Sequence, residues 1–389
     1  MRVLVAHNLY RSATPSGENQ LVRAEIALLR DHGVDVVELL ADSDDIAGGV
    51  RGVLQAAPGP VYSRSGVRRL TRLLDETRPD VVHLHNVFPL ISPWVARVAR
   101  RRGVPVVQTV HNYRHGCVNG LHLRDGRPCT DCLGTRFGLA AVQHGCYRGS
   151  RVQTVPMTVG QVVHRGTWRD DVAGYFVLTP FMRDKLVVTG VPADRIRVRP
   201  TWVPDPGVAA GEGTDVLYVG RLDEPKGIDR LLDAWAAGGA TSGRTLTVVG
   251  DGPLRSLVEQ AAAGGSVRWL GQLAPAGVAA AMEQAAYVVV PSRVFEGYPL
   301  VVAEAFGRGR PVLTIAGGSV GTVVDDRTGW VVPPTVGALA AAMASITDDE
   351  ARRRGAHART SYEAHNTPER GLASLLAGYD EAIGSAATA

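Results

Sequence analysis

The chain reads as two doubly wound α/β domains joined by a short linker. Three observations predict this. Its 389 residues exceed what one ordinary core organises. Apolar strand-like runs alternate with helix-period segments in both halves. The stretch 200–213 (PTWVPDPGVAAGEG), with three prolines and three glycines, interrupts that alternation and is the expected linker. A hydrophobic fraction of 45% with 21% charged residues is that of a globular protein. No run reaches the roughly 18 apolar residues of a bilayer span, and MRVLVAHNLY is too brief for a signal-peptide core. The opening is therefore read as a buried first strand, and the protein as cytoplasmic.

In the first half, strands are expected at 2–6, 34–40, 80–84, 104–110 and 174–178. Between the first two, Leu21, Val22, Ile26, Leu28 and Leu29 form a helical stripe that Gly33 can end. Right-handed crossovers put ligand-binding loops at the carboxyl ends of the strands, which places functional residues just after Ala6, Leu84 and Val110. The second half repeats the pattern with strands at 214–219, 245–249, 267–270, 287–290, 311–314 and 330–332, and closes in helices over 335–386. Charge divides the halves. Residues 1–200 hold 27 Lys and Arg against 17 Asp and Glu, and the remainder holds 15 against 21.

Three segments of the second half carry chemistry. Gly220-Arg221-Leu222-Asp223-Glu224-Pro225-Lys226-Gly227 joins a strand to a helix and offers backbone N–H groups and two cations, the needs of a diphosphate. Gly250-Asp251-Gly252-Pro253 is a second such loop, suited to the nucleoside side of a donor, with Pro253 fit for a first helical turn. PSRVFEGYPLVVAEAFG (291–307) sets Glu296 in a loop and Glu304 eight residues on, inside a helix that Pro299 can begin. Amides at Gly297, Tyr298 and Leu300 lie near that helix N-terminus, where phosphate or sugar oxygens are attracted. Glu304, among Val301, Val302, Ala303, Ala305 and Phe306, must be half-exposed or satisfied by a partner such as a ribose diol.

The order GR-x4-KG, VGDGP and E-x7-E resembles the retaining family-4 glycosyltransferases of GT-B fold, strongly over about 214–335 and more diffusely elsewhere. The resemblance implies two Rossmann-like domains facing a cleft, a C-terminal helix crossing back to the first domain, and metal-independent transfer from a UDP- or GDP-sugar. It divides the chain into an acceptor domain over 1–200 with a cysteine-rich insertion near 114–150, a donor domain over 201–365, and the crossing helix over 366–389. It implies Arg221 and Lys226 on the diphosphate, Glu304 on the ribose, and Glu296 and His111 near the donor sugar, with no cofactor needed for catalysis. Two positions depart from the pattern. Ser16-Gly17-Glu18 stands where the family has a double glycine and a glutamate, leaving Gly17 as the candidate there, and Gly317-Gly318-Ser319-Val320-Gly321 replaces Gly-Gly-x-x-Glu. Retention without an obvious nucleophile fits a front-face reaction, in which positioning and electrostatics do the work.

Other classes fit less well. Asp42-Ser43-Asp44 has the letters of a GT-A metal motif but follows a strand already explained, and no compact G-x-G-x-x-G follows the first strand as a dehydrogenase requires. A GT-B sugar-nucleotide epimerase shares the fold without the E-x7-E segment, and a zinc-bearing binding module is the non-enzymatic alternative. The basic first half shows no aromatic interleaving suited to nucleic acid.

Cys117, Cys129, Cys132 and Cys146 fall within thirty residues, a pattern compatible with a structural four-thiolate zinc site or with small buried hydrophobes. Arginine clusters at 64, 68, 69, 72 and at 97, 100, 101, 102 suit either solvated faces or an anionic membrane surface. The acceptor is open among a small molecule, a lipid-linked species and a glycan.

Overall fold

The computed structural model describes residues 1–13 and 16–387. Thr388 and Ala389, the end of the expected C-terminal helix, lie outside them. The chain forms two compact units. Unit 1 comprises Met1–His122, Thr130–Arg199 and the residues from Leu372 on; unit 2 comprises Leu123–Cys129 and Pro200–Gly371.

Unit 1 is built on β1 (Arg2–Leu9), β2 (Asp35–Asp42), β3 (Val81–Leu84) and β4 (Val106–Val110). A short antiparallel pair follows, β5 (Leu123–Arg124) and β6 (Arg127–Pro128), which belongs to unit 2. Strands β7 (Gly174–Val177) and β8 (Ile196–Val198) then complete a parallel sheet of order β2-β1-β3-β4-β7-β8. Strand β8, three residues long, is too short for a period to show in the sequence. The order reverses beside β1, so the crevice at the carboxyl ends of β1 and β3 is the place for a ligand.

The helix Gly17–Asp31 starts where the Ser16 hydroxyl accepts from the Asn19 N–H, and it buries Leu21, Val22, Ile26 and Leu29 as its spacing requires. The same stripe buries a charge, Glu25. From the other end of the chain, the helix Pro368–Ala387 sends Leu372, Leu375, Tyr379 and Ala382 into one core with Val3, Val5, Val81, Val107 and Phe176. Each large apolar side chain so buried contributes about 1.5–3 kcal/mol. A methyl group on Gly378 would stand 2.4 Å from the Phe176 ring, so only glycine lets the helix lie this close to β7.

Unit 2 has strands β9 (Asp215–Val219), β10 (Leu246–Val249), β11 (Val267–Trp269), β12 (Ala285–Val290), β13 (Val312–Ile315) and β14 (Gly329–Val332). All are parallel, in the order β11-β10-β9-β12-β13-β14. Trp235, Tyr287, Leu313 and Met343 anchor its core. The order reverses between β9 and β12, so the loops leaving those two strands frame this unit's crevice. Among the described residues no helix is long and apolar enough to cross a membrane.

Candidate active site

The loops that the sequence marks for a donor meet at the carboxyl ends of β9, β10 and β12. Backbone contacts lock the first two together. Leu222 N–H donates to Asp251 O at 3.0 Å, and Leu254 N–H to Leu222 O at 2.8 Å. A methyl group on Gly250 would lie 1.9 Å from Gly220 O, and one on Gly252 would lie 2.6 Å from Leu222 O. Both glycines of the second loop are thus required by the approach of two backbones. Gly227, in the left-handed region at φ +73°, likewise has no room for a side chain against Pro291 O.

Asp223 caps the turn before Gly227, accepting from Lys226 N–H at 3.1 Å, and its other oxygen accepts from Arg221 Nε at 2.6 Å. These contacts fix the loop while leaving the Arg221 side chain 53% exposed. Lys226 Nζ reaches Glu296 Oε1 at 2.7 Å, and the Ser292 hydroxyl donates to the same oxygen at 2.7 Å. Arg293 is tied to Glu224 and Asp229, which moors the β12 loop to the β9 loop. The structure therefore brings Arg221, Lys226 and Glu296 into one neighbourhood, from positions seventy residues apart.

No side chain caps the helix Leu300–Gly307, whose N-terminal neighbour is Pro299. Its positive end is left for a ligand anion. Gly297 and Tyr298 lead into it. The Tyr298 ring is structural: it is buried, and its hydroxyl accepts from Asn366 Nδ2 at 3.1 Å. Glu304 is half-buried on this helix, with no hydrogen-bond or ion-pair partner for its carboxylate among the described residues. Burial pushes its pKa above the usual carboxylate value, against the pull of Arg308.

Unit 1 gathers its polar groups at the carboxyl ends of β1, β3 and β4, around a small cleft lined by Glu18, His85, Asn86, Phe88, His111 and Arg114. His111 follows β4, with Nε2 at 2.9 Å from His85 Nδ1. Burial holds its pKa well below the ordinary histidine value, with His85, His7 and Arg199 adding in the same direction. The Tyr10 hydroxyl donates to Glu18 Oε2 at 3.0 Å, while Glu18 Oε1 is buried with no hydrogen bond. Arg114 donates to Asn86 Oδ1 at 3.0 Å, and its Nε is buried without a partner. Gly17 sits exposed at the start of its helix, beside Glu18.

Behind the cleft, Glu25 pairs with Arg199 at 2.7 Å, both side chains 3% exposed or less. Desolvation raises the Glu25 pKa, but Arg199, His85 and His83 outweigh it and hold the carboxyl well below its usual value. His83, His85 and Arg199 were not among the candidates from the sequence. One signal was available: in VVHLHN, residues 83 and 85 lie two apart on a strand and so share a face.

Glu25, His83 and His85 are the one group of three or more ligand-type side chains found among the described residues. Arg199 already supplies the cation there. Of the four cysteines, Cys117, Cys132 and Cys146 lie in unit 1 and Cys129 in unit 2. The Cys117 thiol donates to Asn119 at 3.0 Å, and burial pushes its pKa up. Cys132 and Cys146 pack against Val118, Ala141 and Met157. A cavity of about 830 Å³ in unit 1 lies at the amino ends of β4, β7 and β8. Ligands of open α/β sheets bind at the opposite end, so it is not the site.

The family model described as "Glycosyl transferase 4-like domain" matches residues 16–202, and that described as "Glycosyl transferases group 1" matches 213–349. A phosphatidyl-myo-inositol mannosyltransferase of Mycobacterium leprae is 30% identical over 70% of this chain and 75% of its own length. A 2-deoxystreptamine N-acetyl-D-glucosaminyltransferase of Streptomyces fradiae is 30% identical over 71% of this chain and 65% of its own. Among solved structures, sucrose-phosphate synthase of Thermosynechococcus elongatus superposes with TM-score 0.70 at 20% identity, covering 99% of each chain. HepE of Anabaena, solved with UDP and glucose, superposes with TM-score 0.67 at 14% identity, covering 97% of this chain and 99% of its own. Fold and relatives together define an enzyme of the glycosyltransferase class with GT-B architecture. The chain belongs to the family-4 glycosyltransferases.

Proposed function

We propose that this glycosyltransferase takes a sugar from a nucleoside diphosphate donor, UDP- or GDP-linked, and transfers it with retention to a hydroxyl of a cyclitol-type polyol, without a metal. The observation that carries the donor assignment is the Lys226–Glu296 contact beside an exposed Arg221. Two cations and an uncapped helix end stand where a leaving diphosphate develops charge, and an acidic group stands where a sugar hydroxyl needs an acceptor. Glu304, unpaired and half-buried, suits the ribose diol. His111 and Glu296 serve the donor sugar.

The acceptor groups are on unit 1. Glu18 and Arg114 offer a hydrogen-bond acceptor and a donor that lack partners, and Phe88 supplies an apolar face. The two relatives carry myo-inositol and 2-deoxystreptamine in their names, both six-membered carbocyclic polyols. That shared chemistry supports a cyclitol acceptor, free or lipid-linked. Incubation with UDP- and GDP-sugars, with and without cyclitols, tests the reading through nucleoside diphosphate release.

One feature favours work at an anionic membrane surface. On the helix Arg64–Thr77, Arg64, Arg68 and Arg72 are exposed at i, i+4 and i+8, with no ion-pair partner among the described residues. In the second cluster Arg97 is held by Thr167, and Arg100 and Arg102 pair with Asp171 and Asp75, which leaves Arg101 exposed.

A further inference from the structure

His111 is one end of a buried chain of hydrogen-bonding groups, and the proton count along that chain is fixed by its other end. Glu25 Oε2 accepts from Arg199, so the carboxylate keeps its charge in a place that water does not reach. Its remaining oxygen, Oε1, stands 3.3 Å from His85 Nε2 and 3.4 Å from His83 Nδ1. His83 has other partners, since its Nδ1 is 2.8 Å from the Tyr379 hydroxyl and its Nε2 is 2.8 Å from the Thr109 hydroxyl. Hydroxyls donate or accept as needed, so His83 imposes nothing further.

A carboxylate can only accept. His85 Nε2 and Glu25 Oε1 are both buried without a hydrogen bond and lie 3.3 Å apart, so a proton on His85 Nε2 is what would satisfy both, and a ring that carries that one proton keeps a lone pair on Nδ1. The 2.9 Å contact between His85 Nδ1 and His111 Nε2 holds one proton, which must then be on His111 Nε2. His111 is neutral in turn, and its Nδ1 keeps a lone pair.

We propose that Glu25 and His85 are positioning residues that lock His111 as the Nε2–H tautomer, so that Nδ1 is offered as a hydrogen-bond acceptor to a substrate hydroxyl. The substrate part of this rests on the reading of His111 given above; the tautomer does not. A histidine whose ring nitrogen could carry or lack a proton would meet that hydroxyl as a donor in one tautomer and as an acceptor in the other. The chain removes that ambiguity without contact with the substrate. It also explains why the helix Gly17–Asp31 buries a carboxylate on its otherwise apolar stripe. The charged and titratable groups around the chain are His7 on β1, Glu18 and Glu25 on that helix, His83 on β3, Arg114 after β4, Arg199 after β8, and Tyr379 on the C-terminal helix.

The test is nitrogen-15 NMR of the full chain labelled at histidine, with His111 assigned by its absence in His111→Gln. The expected wild-type signature is a protonated Nε2 and an unprotonated Nδ1 that holds from pH 6 to pH 8. His85→Phe, which leaves the Glu25–Arg199 pair intact, should give a mixed or reversed tautomer. The same variant should lower kcat ~10- to 100-fold, the range for partners that orient an imidazole, with Kd for the nucleoside diphosphate unchanged. A wild-type His111 protonated at Nδ1, or a tautomer indifferent to His85→Phe, overturns the proposal whatever the activity. The expected tautomer together with full turnover in His111→Gln instead overturns the role given to His111 under the proposed function.

Discussion

Lys226 Nζ and Glu296 Oε1 are 2.7 Å apart, although seventy residues separate them. A strand-order reversal puts the loops after β9 and β12 side by side, and Gly227 lets them touch. The contact holds a cation and a carboxylate ready at one place. A donor diphosphate entering there exchanges one partner of Lys226 for another of the same sign, so the ammonium need not be desolvated anew.

Lys226→Ala should therefore cost more in turnover than in stability. Loss of a charged contact to the developing diphosphate costs about 2.7–4 kcal/mol, roughly 100- to 1,000-fold in kcat. The pair is partly exposed, so unfolding stability should move by no more than about 1 kcal/mol. Steady-state kinetics and thermal unfolding on the same preparation check this. Turnover within threefold of wild type would remove Lys226 from the diphosphate site.

Glu304→Gln should have opposite effects on the free protein and on the donor complex. The pKa of Glu304 is raised by burial, so its carboxylate destabilises the folded state at pH values above the folded pKa, and the cost vanishes below the unfolded value near 4.3. Removing the charge should raise the melting temperature at pH 7 and leave it unchanged near pH 4. Donor affinity should fall by about 1.5–3 kcal/mol, the worth of hydrogen bonds to a charged group. Calorimetry with the nucleoside diphosphate reads the second effect, and equal affinity for wild type and variant would contradict it.

Gly250→Ala tests the interlocked loops. Its Cβ would fall 1.9 Å from Gly220 O, which forces the backbone apart. We expect a lower melting temperature and a loss of donor binding of at least tenfold. Unchanged melting temperature and donor binding in Gly250→Ala would contradict the interlock.

Arg199→Met leaves Glu25 a buried, unpaired charge, and should cost about 3–5 kcal/mol of unfolding free energy at pH 7. Because the folded pKa of Glu25 is depressed, the pair's contribution is present above the unfolded carboxyl value and is lost as pH falls through the folded one. Urea unfolding at pH 7 and pH 3 should show the deficit shrinking at the acid end.

Much of this was legible in the sequence because it depends on local pattern. Strand runs, the stripe of Leu21, Val22, Ile26 and Leu29, and the glycine loops each declare themselves within a few residues. The helix Pro368–Ala387 reads as a helix, but nothing local tells that Leu372, Leu375 and Tyr379 pack against Phe176. What stayed hidden was made by distant pairing. Glu25 reads as a break in an apolar stripe until Arg199, 174 residues on, is placed against it.

Arg64, Arg68 and Arg72 should bind vesicles containing anionic phospholipid, at about 1 kcal/mol per arginine near the surface. Flotation should show binding that falls with salt and is lost in the triple glutamine variant. Equal, negligible binding to neutral and anionic vesicles would return these side chains to solvent.

The most direct measurement is an NMR time course of the protein with nucleoside diphosphate sugars and free or lipid-linked cyclitols, in the presence of EDTA. The account predicts release of the nucleoside diphosphate and a glycoside with the donor's own anomeric configuration, formed at the same rate with and without chelator. A product of inverted configuration, or turnover abolished by EDTA and restored by a divalent cation, would contradict it.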